Sequence, residues 1–239
     1  MVTNMQLENY FNNYNGDKAT IEEKFMTKST IELAKPIVLN KNILNLGLGN
    51  GLTSKNLEPY VNSMVILEGS KKIIEKFAYK SEKSIIIDSF FEVYKTNKRF
   101  DVILANHVLE HVNDPVDLMK IKFHEWLTDD GVVFITVPNA YSLHRLIGKE
   151  MGLLKNIYDL NNSDINAGHQ RVYDINLLKE QIDVANFDII DEGGYNLKLL
   201  SLAQMKDWPQ ELLDAIFEVS KKMPADICTN LWFIIKKKL

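Results

Sequence analysis

Five short apolar runs, Asn42 to Leu46, Ser63 to Leu67, Ser84 to Ile87, Phe100 to Ala105 and Gly131 to Val137, are separated by stretches with helical spacing. Each run is rich in Ile, Val and Leu and too short for a buried helix, which suits a strand covered on both faces. The intervening stretches Leu52 to Tyr60, Lys71 to Tyr79, a short Phe90 to Lys95, and Pro115 to Leu127 predict helices. Strand alternating with helix implies a parallel sheet with right-handed crossovers. The first half therefore reads as an open, doubly wound α/β unit.

Local signals sharpen this reading. Asp114-Pro115 supplies an N-cap followed by proline at the first helical position, and Asp130-Gly131 marks the turn into the fifth strand. Proline at 138 stops that strand. From there to residue 170 the alternation is lost in a segment rich in Asn, Gly and Tyr, read as an insertion over one end of the sheet with a helix near Tyr141 to Met151. Regularity returns with a helix from Ile175 to Ala185, a strand from Asp188 to Gly193, a helix from Pro209 to Lys221 and a strand around Leu231 to Ile235. A helix from about Thr20 to Ala34 precedes the first strand. The expected organisation is one domain over 1–239: an amino-terminal helical lid (1–38), a core (40–137), the insertion (138–170) and carboxy-terminal helices and strands (171–239). Lys236-Lys237-Lys238 reads as a solvated strand end.

The chain of 239 residues is 46% apolar and 25% charged, ordinary globular values that exclude disorder, collagen and coiled coil as whole-chain readings. Lys plus Arg is 28 against 32 Asp plus Glu, a formal charge of -4, so the basic excess of a phosphate-tracking protein is missing and nucleic acid is not an expected partner. Cys228 is the single cysteine, which excludes an intrachain disulfide and a cysteine-based zinc site. No apolar run reaches the ~18 residues a membrane span needs. The expectation is a cytoplasmic protein without a membrane partner, monomer or homodimer.

The richest stretch is Asn42-Ile43-Leu44-Asn45-Leu46-Gly47-Leu48-Gly49-Asn50-Gly51, a strand running into three alternate glycines and then a helix. Glycine permits positive φ and close backbone approach to a ligand, and the helix beyond presents free N–H groups. The dinucleotide spacing G-x-G-x-x-G would need glycine where Leu52 stands, so the loop favours a nucleoside without a pyrophosphate. The second strand ends in Glu68-Gly69, where a carboxylate can accept both hydroxyls of a ribose. The third ends in Asp88-Ser89-Phe90: the acid can accept an exocyclic amine or cap the short helix that follows, and the ring can cover a purine.

These elements, followed by Phe100-Asp101-Val102-Ile103 and His107-Val108-Leu109-Glu110-His111-Val112, together resemble the class I S-adenosylmethionine-dependent methyltransferases, and within them the small-molecule branch of ubiquinone, sugar and natural-product enzymes. The match covers roughly residues 40 to 140, with weaker pieces at Gly168 to Tyr173 and Val184 to Asp188. The resemblance implies a mostly parallel seven-stranded sheet with the last strand antiparallel, and S-adenosylmethionine as cofactor. It implies that Gly47, Gly49 and Gly51 line the methionine and ribose, that Glu68 holds the ribose, that Asp88 with the Ser89 backbone reads the adenine, and that Asn106 and His107 sit at the methionine end. It also implies an amino-terminal segment folded over the cofactor, from which Tyr10 or Tyr14 can reach its carboxylate. Two positions depart from the pattern: Asn45 stands where an acid is usual, and Asn186 where glycine is common.

Methyl transfer from a sulfonium is an in-line displacement, so positioning matters more than covalent chemistry, and a base is needed only when the acceptor holds a proton that must leave. Histidines are the natural candidates. His107 and His111 follow the fourth strand with Glu110 between them; a helical H-E-x-x-H is absent, no metal is expected, and His111 reads as a helix-start or packing residue. His169, with Tyr173 four residues on, is either a general base or a hydrogen-bonded pin for the insertion. That insertion carries Tyr141, His144, Arg145, Tyr158, Asp159 and Asn161, a polar set that fits a sugar, a phosphorylated compound or another polar small-molecule acceptor. Two other functions compete. A dinucleotide-dependent oxidoreductase is opposed by the missing glycine and the lack of a second α/β half, and a degenerate binding or regulatory protein is opposed by the intact glycines, Glu68 and Asp88.

Overall fold

The structure is a computed structural model that describes residues 21–200, 205 and 207–238. Tyr10 and Tyr14 lie outside them. Seven strands, β1 (Asn42–Leu46), β2 (Ser63–Glu68), β3 (Ser84–Asp88), β4 (Phe100–Asn106), β5 (Leu127–Pro138), β6 (Phe187–Tyr195) and β7 (Asn230–Lys237), form one sheet in the order β3-β2-β1-β4-β5-β7-β6. The first five pair in parallel and β7 runs antiparallel to both β5 and β6. Strands β1 and β2 are buried at every position but their first, and β4 nearly so, as a sheet covered on both faces requires. Successive residues feed opposite sides: Leu44, Ile103 and Ala105 join a core around Trp126 and Tyr173, whereas Ile43, Val102 and Leu104 join one around Val38, Leu57 and Phe134.

Helices α1 (Ile21–Val38), α2 (Leu52–Leu57), α3 (Lys71–Phe77), α4 (115–126), α5 (Leu143–Glu150), α6 (Asn162–Ala167), α7 (Ile175–Val184) and α8 (Gln210–Ser220) cover the sheet, α4 passing through a π-helical stretch at Leu118–Phe123. Asp114 caps α4 as its sequence suggests, its carboxylate accepting from the Asp117 N–H at 2.9 Å. The chain order reverses between β1 and β4, and there the crevice beyond the carboxyl ends of the strands opens, the usual ligand position in such sheets.

Three expectations change. The helix at Phe90 to Lys95 is a single turn closed by the Tyr94 N–H on Phe90 O, so Asp88 caps no helix; it is exposed and 3.9 Å from Lys71 Nζ. Strand β5 begins at Leu127, four residues early, because Leu127 pairs with Phe100 ahead of a register shift. The insertion holds a second helix, α6, fixed by a reciprocal capping box between Asn161 and Asp164. Asn186, in the turn before β6, takes φ 64°, the left-handed region that asparagine tolerates better than most residues.

Candidate active site

Beyond the ends of β1, β2 and β4 lies a cavity of about 300 Å³. At one end stand Gly47 and Gly49, with Gly51 just beyond the wall; all three have positive φ (86°, 54° and 75°), which folds the loop tightly enough to turn its backbone onto Glu68. Glu68 is buried: Oε2 accepts the Leu48 N–H at 2.9 Å and Oε1 the Ser70 N–H at 2.8 Å. Burial pushes its pKa up and those backbone donors pull against it. The carboxylate is thus locked in orientation with lone pairs to spare. Asn45, also on the cavity wall, donates its amide protons to Gly47 O at 2.9 Å and Ser54 Oγ at 3.1 Å, leaving its carbonyl oxygen as acceptor.

At the other end Asn106, His107 and His111 line the wall. Asn106 Oδ1 accepts from Thr136 Oγ1 at 2.6 Å and Thr30 Oγ1 at 3.3 Å. His107 has φ 53°, an uncommon backbone state for a non-glycine residue, held by its N–H on Thr136 O at 3.0 Å. Its ring bridges two buried groups: Nδ1 lies 2.9 Å from Glu110 Oε1 and Nε2 3.0 Å from the Tyr195 hydroxyl. Burial raises the Tyr195 pKa to about 12, so Tyr195 stays protonated. Glu110 is wholly buried; burial opposes its charge, but the hydrogen bond and charge of His107, with His111 and His169 near, outweigh that and lower its pKa.

The segment after α6 is laced to the loop after β4. Gln170 donates its backbone N–H to Glu110 O at 2.8 Å and its side-chain amide to His111 O at 2.6 Å, while Arg171 donates to Leu109 O, Val112 O and Asn113 O. This lacing sets the His169 ring 4.9 Å from that of His111. Upstream, buried Arg145 binds Asp164 Oδ2 at 3.0 Å and the carbonyls of Ile157 and Asp159. Burial disfavours the Asp164 charge, yet His169, the Asn161 backbone and Arg145 hold its pKa at about 2.

Of the residues singled out in the sequence, Gly47, Gly49, Glu68, Gly69, Ser89, Phe90, Asn106 and His107 share the cavity wall. Gly51, Asp88, His169 and Tyr173 do not reach it. Tyr173 is fully buried, with its hydroxyl on Gln181 Oε1 at 3.1 Å and its pKa raised by burial. His169 stands behind His111, with Nδ1 3.2 Å from Asp164 Oδ1. Sequence reasoning missed Met26, Thr27 and Thr30, which α1 brings to the wall, and gave Glu110 no catalytic or binding role; a carboxylate flanked by Leu109 and His111 carried no burial signal until the fold enclosed it.

The fold is that of S-adenosylmethionine-dependent methyltransferases. An enzyme of that description from Mesorhizobium loti superposes with a TM-score of 0.62 at 15% identity, over 93% of this chain and 100% of its own. The 1,6-didemethyltoxoflavin-N1-methyltransferase of Burkholderia thailandensis, solved with 1,6-didemethyltoxoflavin and S-adenosylhomocysteine, gives a TM-score of 0.56 at 14% identity, over 90% and 79%. Residues 19–192 match a methyltransferase-domain family, and the chain belongs to that family of S-adenosylmethionine-dependent methyltransferases. It is 30% identical over 123 residues to the ubiquinone biosynthesis O-methyltransferase of Pelagibacter ubique; the match takes in 50% of this chain, and the chain spans about half the length of that relative.

Proposed function

We propose that the protein transfers the methyl group of S-adenosylmethionine to an oxygen or nitrogen of a small polar acceptor. The observation that carries this is one cavity with Gly47, Gly49 and Glu68 at one end and His107 and His111 at the other. In this reading Glu68 accepts the two ribose hydroxyls, Ser89 and Phe90 flank the adenine, and the carbonyl of Asn45 takes the place of the usual acid toward the cofactor's ammonium. The methyl group then points toward Asn106 and His107.

The acceptor's lone pair forms the new bond to carbon as the carbon–sulfur bond breaks, and its electrons stay on sulfur as a neutral thioether. The protein's part is alignment. Where the acceptor is a hydroxyl, its proton must leave as well; in this reading His107 takes it at Nε2 once that nitrogen gives up the Tyr195 hydroxyl, with the buried Glu110 carboxylate at Nδ1 stabilising the charge. His169 is set back from the wall, behind His111.

The test is turnover of labelled S-adenosylmethionine with extracts fractionated by polarity, followed by mass spectrometry of labelled products. A labelled polar product, lost in Glu68→Ala, supports the reading. S-adenosylhomocysteine that fails to bind the parent protein overturns it.

A further inference from the structure

We infer that Glu110, His111 and His169 form a binding site for one divalent transition-metal ion at the edge of the cavity, with an open coordination position for an oxygen ligand. One ligand atom from each residue lies within 4.8 Å of the other two, close enough to close on a single ion. The three come from two distant stretches, joined by the Gln170 and Arg171 hydrogen bonds to the 109–113 loop.

Each residue has one side-chain atom engaged behind the site and another left over. Glu110 Oε1 is taken by His107 Nδ1 at 2.9 Å, whereas Oε2 is buried with no hydrogen-bond partner. An orphaned oxygen on a wholly buried carboxylate is costly unless a cation or donor meets it. His111 turns Nδ1 to the Gly168 carbonyl at 3.3 Å, leaving Nε2. His169 turns Nδ1 to Asp164 Oδ1 at 3.2 Å, again leaving Nε2. A histidine whose far nitrogen is held by a carboxylate or a backbone carbonyl is the usual outer arrangement of a metal ligand, because it sets the tautomer and aims the ring.

Two imidazoles and one carboxylate suit zinc, iron, cobalt or manganese better than magnesium or calcium, and three protein ligands leave positions free. His111 also lines the cavity, so the free position borders the acceptor end. Given the methyl-transfer reading, the ion would bind an acceptor hydroxyl and lower its pKa, so that its proton is lost to solvent water before the oxygen attacks the methyl carbon, without recourse to His107.

The metal-stripped full chain, titrated with cobalt(II), should take up one ion with visible d–d bands, and zinc should displace it. His169→Asn and Glu110→Gln should each lower the affinity at least 100-fold, and Asp164→Asn by roughly 10- to 100-fold. S-adenosylhomocysteine binding, measured alongside, should persist in all three variants. Crystals of the parent soaked in zinc provide a readout that does not depend on any variant folding: the anomalous peak should lie about 2.0 to 2.2 Å from the three ligand atoms. No cobalt spectrum, a peak elsewhere, or affinity unchanged in His169→Asn would overturn the site. Loss of S-adenosylhomocysteine binding by the parent would instead sink the methyl-transfer reading and leave the metal result to stand or fall on its own.

Discussion

The two ends of the cavity are built by different means. At the glycine end, β1 and β2 deliver their last residues side by side, and Glu68 is held by N–H groups 20 and 2 residues away in sequence. At the histidine end, Glu110, His111 and His169 meet only because residues some 60 positions apart are tied together across the insertion. The first end is backbone geometry that the sheet imposes; the second is a buried polar cluster assembled by long-range contacts. The first should therefore fail locally and selectively, and the second should couple to the stability of the insertion.

Gly49→Val should have the largest effect. A β-branched residue at φ 54° strains the loop and intrudes on the wall, so S-adenosylhomocysteine binding should vanish in calorimetry while circular dichroism reports a folded chain. Binding at parental strength would make the loop a plain turn. Arg145→Met attacks the other end. It leaves Asp164 and the carbonyls of Ile157 and Asp159 buried without their donor, and should cost about 3 to 5 kcal/mol in urea unfolding while sparing the glycine end. A loss well under about 1 kcal/mol would show that the insertion is not pinned there.

Glu68→Ala removes a fixed acceptor for two hydroxyls and should weaken S-adenosylhomocysteine by about 2 to 3 kcal/mol. An unchanged dissociation constant would take Glu68 out of the site. The mildest test is acidity. Burial first, then the charges of Lys198 and Arg145, lower the His144 pKa from 6.5 to about 3. The unfolded chain therefore binds this proton below about 6.5 while the folded chain refuses it. The stability difference is absent above that pH and grows against the fold as pH falls toward 3, by about 1 kcal/mol per pH unit. His144→Gln should flatten this limb relative to the parent; identical acid limbs would remove His144 from the account.

Much of the cofactor end was legible because each of its signals is local. An apolar run, a change to alternate glycines and an acid at the next strand end are each read from a stretch of ten residues or fewer. The Asp88 helix failed for the opposite reason: no hydrophobic period sustains Phe90 to Lys95, and a lone turn closes there instead. Residues Met26, Thr27 and Thr30 were invisible as wall residues, since nothing in an amphipathic helix says which neighbour its face will meet.

The sequence by itself determined the strand–helix alternation, the parallel order of the first half and the glycine loop with Glu68, because periodicity and backbone sterics act over short stretches of chain. Only the tertiary structure decided that His169 stands behind His111 rather than on the cavity wall, and that Glu110 is enclosed with one oxygen unpaired. Those outcomes depend on which distant carbonyls Gln170, Arg171 and Arg145 find, and hydrogen bonds across such separations leave no periodic trace in the residues that make them.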